Sequence, residues 1–415
     1  MWNKLPRRFL DLIGVLFVIL FFTFIYAYYQ SQLFHGEIHR TGLAYYNYLI
    51  DSMIHGKTDI SPESKYDLSV FHDKYYMYWG PSPALFVLPF YLVSSLEAND
   101  MIYGLVAGIA NCVIFFFVVN EFIKFFKIKL TWYAKFICIA CFAFASPNFY
   151  LSMAGNIWFV NQIIAVFYLL LFYLFYFKFL NTKKLLMVII AVIFFSLAWT
   201  SRYTLIFNGL FLIYPIYLLF KERLKKKLIL YLIFIPGLVL ISIVCMAFYN
   251  NARFQNPLET GYRYQVGSDR FNKAFREGDI FSFSHIPHNI TYYFLNHISI
   301  SFEKPFVLID SEGNSVFSVY PLLLTLFLLI RIYKIKEVHP FILLACLSIG
   351  LSILVLMMNL GTGWVQFGSR YFFDVIPILF LFTLFAVRKI YPLVLTIILI
   401  YGVVINFLGT WAMYG

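Results

Sequence analysis

Charge is scarce in this chain. Of 415 residues only 13% are Asp, Glu, Lys or Arg, about half the roughly 25% of a soluble domain. With 62% hydrophobic residues as well, that shortage excludes an ordinary water-soluble globule. Cysteine is also sparse. Cys112, Cys138, Cys141, Cys245 and Cys346 all fall inside apolar runs, so no disulfide framework is implied. The Cys138-x-x-Cys141 spacing lies mid-helix and reads as two small apolar residues one turn apart. There is no Walker loop, no glycine-rich dinucleotide fingerprint and no His-Glu-x-x-His motif. No internal repeat or low-complexity tract stands out, and no metal-ligand set is predicted.

The basic residues that are present are not scattered. They gather in knots between long apolar runs: Lys4-Arg7-Arg8, Lys124-Lys127-Lys129, Lys178-Lys183-Lys184, Lys221 to Lys227, Lys334-Lys336 and Arg388-Lys389. Lys and Arg concentrate on the cytoplasmic side of membrane proteins. Placing the knots there predicts an all-α polytopic protein, one transmembrane domain over residues 1–415. Its spans are predicted at 9–29, 101–122, 131–151, 157–178, 185–200, 203–220, 228–248, 316–333, 339–358, 372–388 and 391–411. This count of eleven puts the N-terminus in the cytoplasm and the C-terminus outside. The first run follows a basic start and lacks a small-residue cleavage site, so it reads as an uncleaved first helix. The net charge of +12 then reflects orientation and contact with anionic lipid head groups, not nucleic acid.

Two connections on the outer face are long. The first covers residues 30–83 and holds Glu37, Asp51, Asp59, Glu63, Asp67 and Asp73 with His35, His39, Arg40, His55, Lys57, His72 and Lys74. Within it Ala44–Ile54 reads as a short amphipathic helix ended by Gly56. Residues 84–97 are apolar, too short to span, and contain Pro89, which predicts a re-entrant or interfacial segment entered through the Gly80-Pro81-Ser82-Pro83 turn. The second long connection covers 249–315, with another interfacial helix expected over His288–Ile300. Asn289-Ile290-Thr291 matches a glycosylation acceptor.

A carboxylate beside a membrane surface can take a proton from an acceptor hydroxyl, and a nearby cation can hold a phosphate. The base candidates are Glu37, Asp67 and Asp51. The phosphate-binding candidates are Lys74, Arg202 and Arg370. An arginine at the membrane edge is costly unless paired, and the positive-inside tendency disfavours both arginines on the outer face. Local pairing of Arg370 with Asp374, one turn on, is the alternative for that residue. His39, Tyr78, Asn161, Gln162, Arg253 and Gln366 complete the candidate substrate-binding set. The bland alternatives are a solvated loop whose charges avoid lipid and an aromatic belt that explains the Tyr and Trp residues.

The long acidic connection directly after the first helix, the many spans and the proline-rich re-entry resemble the GT-C superfamily of integral membrane glycosyltransferases. So do the strings Tyr48–Gly56, Asp67–Leu85, Tyr249–Tyr262 and Gln366–Asp374. The resemblance covers most of the chain and implies a bacterial cytoplasmic-membrane enzyme. Such an enzyme would use a polyprenyl-phosphate sugar donor and a glycan, lipid or protein acceptor, with membrane lipids around it and no nucleic acid. It implies inverting transfer at the extracytoplasmic face. It also implies a catalytic carboxylate soon after the first helix, where this chain has Glu37-Ile38-His39-Arg40 in place of the usual Asp, and a basic residue on the donor phosphate. Some members use a divalent cation; the residues here indicate no ligand set for one. The rival classes are a lipid or glycan transporter, which would place charges near the bilayer midplane, and a non-catalytic scaffold.

Overall fold

A computed structural model describes residues 7–267, 269–332, 339–364 and 366–414; Lys4, Lys334 and Lys336 of the basic knots lie outside the described residues. The predicted apolar runs are helical. α1 (Arg7–Leu33) is followed by a short α2 (Tyr45–Ile54), a hairpin of β1 (Leu68–Phe71) and β2 (Lys74–Tyr76), and α3 (Pro83–Ser94). Then come α4 (Asp100–Phe126), α5 (Trp132–Phe144), α6 (Pro147–Leu151), α7 (Ile157–Thr182) and α8 (Leu185–Ser201). A 3-10 run, Tyr203–Ile213, leads into α9 (Tyr214–Lys221) and α10 (Lys225–Phe254). Beyond these lie β3 (Gln265–Val266), α11 (Asp269–Glu277), α12 (Ile286–Ile290), β4 (Ser299–Ile300) and β5 (Val307–Leu308). The last helices are α13 (Val316–Val319), α14 (Phe327–Ile332), α15 (Pro340–Met358), α16 (Ile376–Val387) and α17 (Pro392–Tyr414).

Among the described residues seven helical runs are long and apolar enough to cross a membrane: Asp100–Phe126, Trp132–Leu151, Ile157–Thr182, Tyr203–Lys221, Lys225–Phe254, Pro340–Met358 and Pro392–Tyr414. Pro83–Glu97, Leu185–Ser201 and Ile376–Val387 are apolar but shorter. α10 shows what solvent these helices are built for. Its best window has a mean hydropathy of 2.8, yet Ile229, Ile233, Phe234, Leu240 and Ile241 are all more than half exposed. A helix apolar all round and left uncovered belongs in lipid. The predicted span at 316–333 is broken: Pro321, which has no N–H to donate, opens a 3-10 turn, Pro321–Leu326, between α13 and α14.

α7 forms the axis. It packs between α4 and α8 and is buried along most of its length, with Asn161 and Gln162 as the buried polar residues of its first turns. Its neighbours start and stop on side-chain and backbone signals. Asn99 caps α4 by accepting from the Met101 N–H, Lys127 ends it in the left-handed region, and Thr131 caps α5.

Over one end of this bundle the two long connections merge into a single layer. β1 and β2 pair antiparallel with Ser69 opposite Tyr76 and Phe71 opposite Lys74. The two-residue loop His72-Asp73 has φ of 48° and 59°, the sign that suits the right-handed twist of a hairpin. β3, from the second connection, adds to the other edge of β1 with Leu68 opposite Val266. Ser69 Oγ donates to the Gly261 carbonyl at 2.8 Å. These strands were not anticipated by the all-α expectation; each has only two to four residues, and the β1–β3 pairing joins distant segments.

α2 matches the predicted Ala44–Ile54 within one residue and buries Tyr45, Tyr46, Leu49 and Ile50. The helix expected over His288–Ile300 begins earlier, at Ile286, and runs through a π turn to Leu295, where Asn296 turns away to donate to the Gly313 carbonyl. Asn289 does not suit glycosylation. It is fully buried, and its amide donates to the carbonyls of Met357 and Asn359 at 2.7 and 2.6 Å.

The entry to α3 is pinned to the end of α8. Gly80 lies so close to the Thr200 carbonyl that an added Cβ would collide with its oxygen, so only glycine fits. Ser82 and Thr200 share a hydroxyl hydrogen bond at 2.5 Å, the Tyr46 hydroxyl lies 3.1 Å from the Gly80 carbonyl, and Tyr168 donates to the Ser82 carbonyl. These contacts bring the first connection against the Thr200–Tyr203 turn.

Candidate functional site

The first turns of α7 carry the framework of a polar cluster. Trp158 Nε1 donates to Asp67 Oδ2 at 2.6 Å. Phe159 lies beneath the Arg370 guanidinium, 5.2 Å from ring centre to Cζ. Asn161 Oδ1 accepts from the Tyr46 hydroxyl at 2.8 Å. Gln162 Nε2 donates to the Arg370 carbonyl at 2.6 Å and to Asp374 Oδ1 at 3.3 Å. One helix end therefore fixes residues from the first connection and from the segment before α16.

Asp67 is 8% exposed and sits just before β1 with φ of 60°, a backbone region that Asp tolerates better than most residues. Three donors hold it: Trp158, the Tyr78 hydroxyl at 3.0 Å, and the Gln265 side-chain amide. Burial pushes its carboxyl above the usual carboxylate range, and the three donors and the positive charge of Arg370 pull back in part. The same burial, with the Asp67 charge beside it, holds the Tyr78 phenol well above its ordinary range, so Tyr78 stays a donor. Oδ2 accepts twice and Oδ1 once; of about four lone-pair sites on a carboxylate, one on Oδ1 is left.

Arg202 and Arg370 flank one ring. The Cζ atoms lie 5.2 and 5.0 Å from the centre of Tyr371. Their partners differ. Arg202 grips Asp374 with Nε at 2.8 and 3.1 Å and Nη2 at 2.9 Å, and Thr204 Oγ1 adds a bond at 2.5 Å. The local Arg370–Asp374 alternative therefore gives way to a pair across the fold: the segment Arg370–Asp374 is a 3-10 turn, and Asp374 is taken by Arg202. Arg370 is 5% exposed and donates through Nε and Nη2 to the Gly363 carbonyl at 3.1 and 2.5 Å. Gly363 has φ of 122°, and a Cβ there would meet Gln366 Oε1 at 2.5 Å. Among the described residues no carboxylate pairs with Arg370 and no cation pairs with Asp67. Tyr262 lies within reach of the charges of both Arg202 and Asp67, and its phenol is raised chiefly by burial.

The other candidates divide. Gln366 braces the Arg370 segment: its Nε2 donates to the Glu312 and Thr362 carbonyls and its Oε1 accepts from the Arg370 N–H. Arg253, 1% exposed, lies 4.1 Å over Tyr249 and donates to Asn250 Oδ1 and to the carbonyl of Met77, the neighbour of Tyr78. Lys74 is not brought in; it pairs with Asp59 on the surface at 3.4 Å. Asp51 accepts from the Tyr91 hydroxyl at 2.7 Å, away from the cluster. Glu37 and His39 pair loosely with each other at 3.7 Å, with side chains 79% and 81% exposed. Trp158, Gln265, Tyr262 and Tyr371 were not singled out in the sequence. Trp158 was hidden in an apolar run, and Gln265 reaches Asp67 from 198 positions away.

Among the described residues no group of three or more His, Cys, Asp or Glu is gathered to hold a metal ion. The groups that hold Asp67 turn N–H and O–H donors toward it, and with Gln265 Oε1 the one carboxamide oxygen among them, Asp67 and Gln265 alone fall short of the roughly six oxygens a divalent ion takes. Gln162 Oε1 and Gln265 Oε1, at the edge of the cluster, are buried acceptors without a protein partner among the described residues. The arrangement offers a base of raised basicity, a guanidinium with no carboxylate partner among the described residues, and carboxamide acceptors. No protein-family model matches the chain, and no curated protein matches it.

Proposed function

We propose that this membrane protein is a GT-C-type glycosyltransferase. In this reading it is an eleven-span protein of a bacterial cytoplasmic membrane, with the N-terminus cytoplasmic and the C-terminus outside. It moves a sugar from a polyprenyl-phosphate donor to an acceptor hydroxyl of a glycan, lipid or protein on the extracytoplasmic side, with inversion. The observation that carries the reading is Asp67: a buried carboxylate held by three donors, with no cation paired to it among the described residues, close enough to Arg370 for the two charges to interact.

The acceptor oxygen attacks the anomeric carbon as the bond from that carbon to the phosphate oxygen breaks. Asp67 Oδ1 takes the hydroxyl proton. A carboxyl raised by burial is a better base than a free one, and positioned proton transfer contributes about 100- to 10,000-fold. The negative charge that grows on the departing phosphate is met by Arg370. Arg202, neutralised by Asp374, holds Tyr371 and Arg370 in register from the other side. Removing one such stabilising donor costs about 100- to 1,000-fold in turnover. The orphan acceptors of Gln162 and Gln265 suit sugar hydroxyls, which need partners once they leave water.

Purified protein in liposomes, supplied with a radiolabelled polyprenyl-phosphate sugar and extracted cell-envelope acceptors, tests the reading. Release of polyprenyl phosphate with label passing to an acceptor is expected. Movement of intact donor between leaflets with no release would point to a transporter and overturn it.

A further inference from the structure

We propose that the hairpin Ser299–Leu308 lies in the membrane interface and, with α17, forms a groove that holds one fatty-acyl chain of a bilayer phospholipid. The groove has a volume of about 620 Å³ and is walled by Ile300 and Phe306 on the hairpin and by Ile397, Ile400, Val404 and Leu408 on α17. It is separate from the Asp67 cluster, and the inference does not depend on the glycosyltransferase reading.

Three observations select the occupant. The first is the medium. α17 is long and apolar enough to cross a membrane, and Ile397, Ile400 and Val404 are 57%, 58% and 47% exposed, so the groove is continuous with a lipid-facing surface. The second is length. From Ile397 to Leu408 the helix rises about 16 Å, about the reach of one extended acyl chain, which fills half of a hydrocarbon core about 30 Å thick. The third is the hairpin itself. Ile300 and Val307 are cross-strand partners, and Phe302 at the turn is fully exposed, with Ile300 and Leu308 more than half exposed. Such a turn is unsuited to water. Glu303 and Lys304, both exposed beside Phe302, hold it at head-group level, because charge in hydrocarbon is costly, and an aromatic ring there suits the interfacial belt.

The C-terminal end of α17 lies near the Asp67 cluster. Tyr414, the last residue of α17, packs 6.1 Å from Phe34 and 6.4 Å from Phe159, ring centre to ring centre, and Phe159 is the ring beneath Arg370. Ile300 and Phe306 close the open side of α17 without filling it. The result is a slot in which a chain is held by protein on two sides, where a bare helix would offer one.

Phosphatidylethanolamine carrying a photoreactive group on its acyl chain, reconstituted with the full chain, tests the proposal by mapping labelled peptides. Labelling of residues 397–408 should exceed that of the bare face of α10 around Leu240 and Ile241. Val404→Trp, which fills the slot, should cut it roughly ten-fold while α10 labelling stays constant. Phe306→Ser, which removes an exposed wall and leaves α17 intact, should lower it as well. Equal labelling of α17 and α10, unmoved by either variant, would mean that bulk lipid alone touches the helix. Labelling by a photoreactive isoprenoid phosphate but not by the phospholipid would assign the slot to a different occupant. Either result overturns the proposal.

Discussion

Replacing Asp374 by Asn keeps the shape of the side chain and removes its charge. In the native protein the Asp374 side chain is 0% exposed and that of Arg202 14%, and three guanidinium nitrogen to carboxylate contacts lie between 2.8 and 3.1 Å. Burying two charges gains little over burying apolar groups, but removing one partner strands the other, at about 3–5 kcal/mol. Here Arg202 would be stranded between a neutral carboxamide and Tyr371, with its positive charge no longer balanced. The bond from Thr204 and the longer one from Gln162 weaken as well, so the expected loss is about 4–5 kcal/mol, the upper part of that range. Arg202→Met strands the fully buried Asp374 in turn and should fall in the same range of about 3–5 kcal/mol, and the double variant Arg202→Met with Asp374→Asn should be more stable than Asp374→Asn alone, because it strands no charge. Equilibrium unfolding in mixed detergent micelles, followed by tryptophan fluorescence, measures all four proteins in one cycle. A loss under about 1 kcal/mol for Asp374→Asn, the range of an exposed pair, would refute the reasoning, as would strictly additive costs.

The raised carboxyl of Asp67 has a sign that can be checked. The folded state holds this proton to higher pH than the unfolded chain, so its contribution to stability is complete below the ordinary carboxylate range and declines as pH rises through the raised value; Asp67→Asn should flatten that decline in unfolding titrations. The acidic limb of turnover should lie above the usual carboxylate range, and Trp158→Phe should move it higher still, since losing the indole N–H removes a bond to the charged form; a limb unchanged by Trp158→Phe in a pH–rate profile would contradict this. Gly80→Ala drives a methyl into the backbone of Thr200 and should destabilise by about 3 kcal/mol, at the upper end of overpacking costs, with loss of turnover; a fully stable, active Gly80→Ala protein would disprove the close approach.

The helical plan was legible because lipid imposes it. Long apolar runs bounded by basic knots have few other readings, and α2 followed from local spacing within the first connection. The broken runs at Tyr203–Ile213 and Pro321–Leu326 were less so: both are largely apolar, and only Pro321 marks a departure. The site was partly legible. Arg202, Arg370, Gln162 and Gln366 are polar residues at predicted helix ends, Asp67 and Tyr78 lie in the dense polar and aromatic stretch before the re-entrant turn, and all six converge. Glu37, His39 and Lys74 belong to the charge-rich first connection, and Glu37 also to the position the resemblance implies, but their side chains stay exposed, since charge density in a loop does not say which side chains turn inward. What hid the rest was distance along the chain. The β1–β3 pairing, the Gln265 bond to Asp67 and the choice of Arg202 over Arg370 by Asp374 all join segments far apart, and no local pattern encodes them.

The most direct test sets two carboxylates against each other. Asp67→Asn and Glu37→Gln, each reconstituted and supplied with the polyprenyl-phosphate sugar, should differ sharply in release of polyprenyl phosphate. Turnover should fall at least about 100-fold for Asp67→Asn, with donor binding retained, and stay close to wild type for the exposed Glu37→Gln. Full turnover by Asp67→Asn beside an inactive Glu37→Gln would contradict the account.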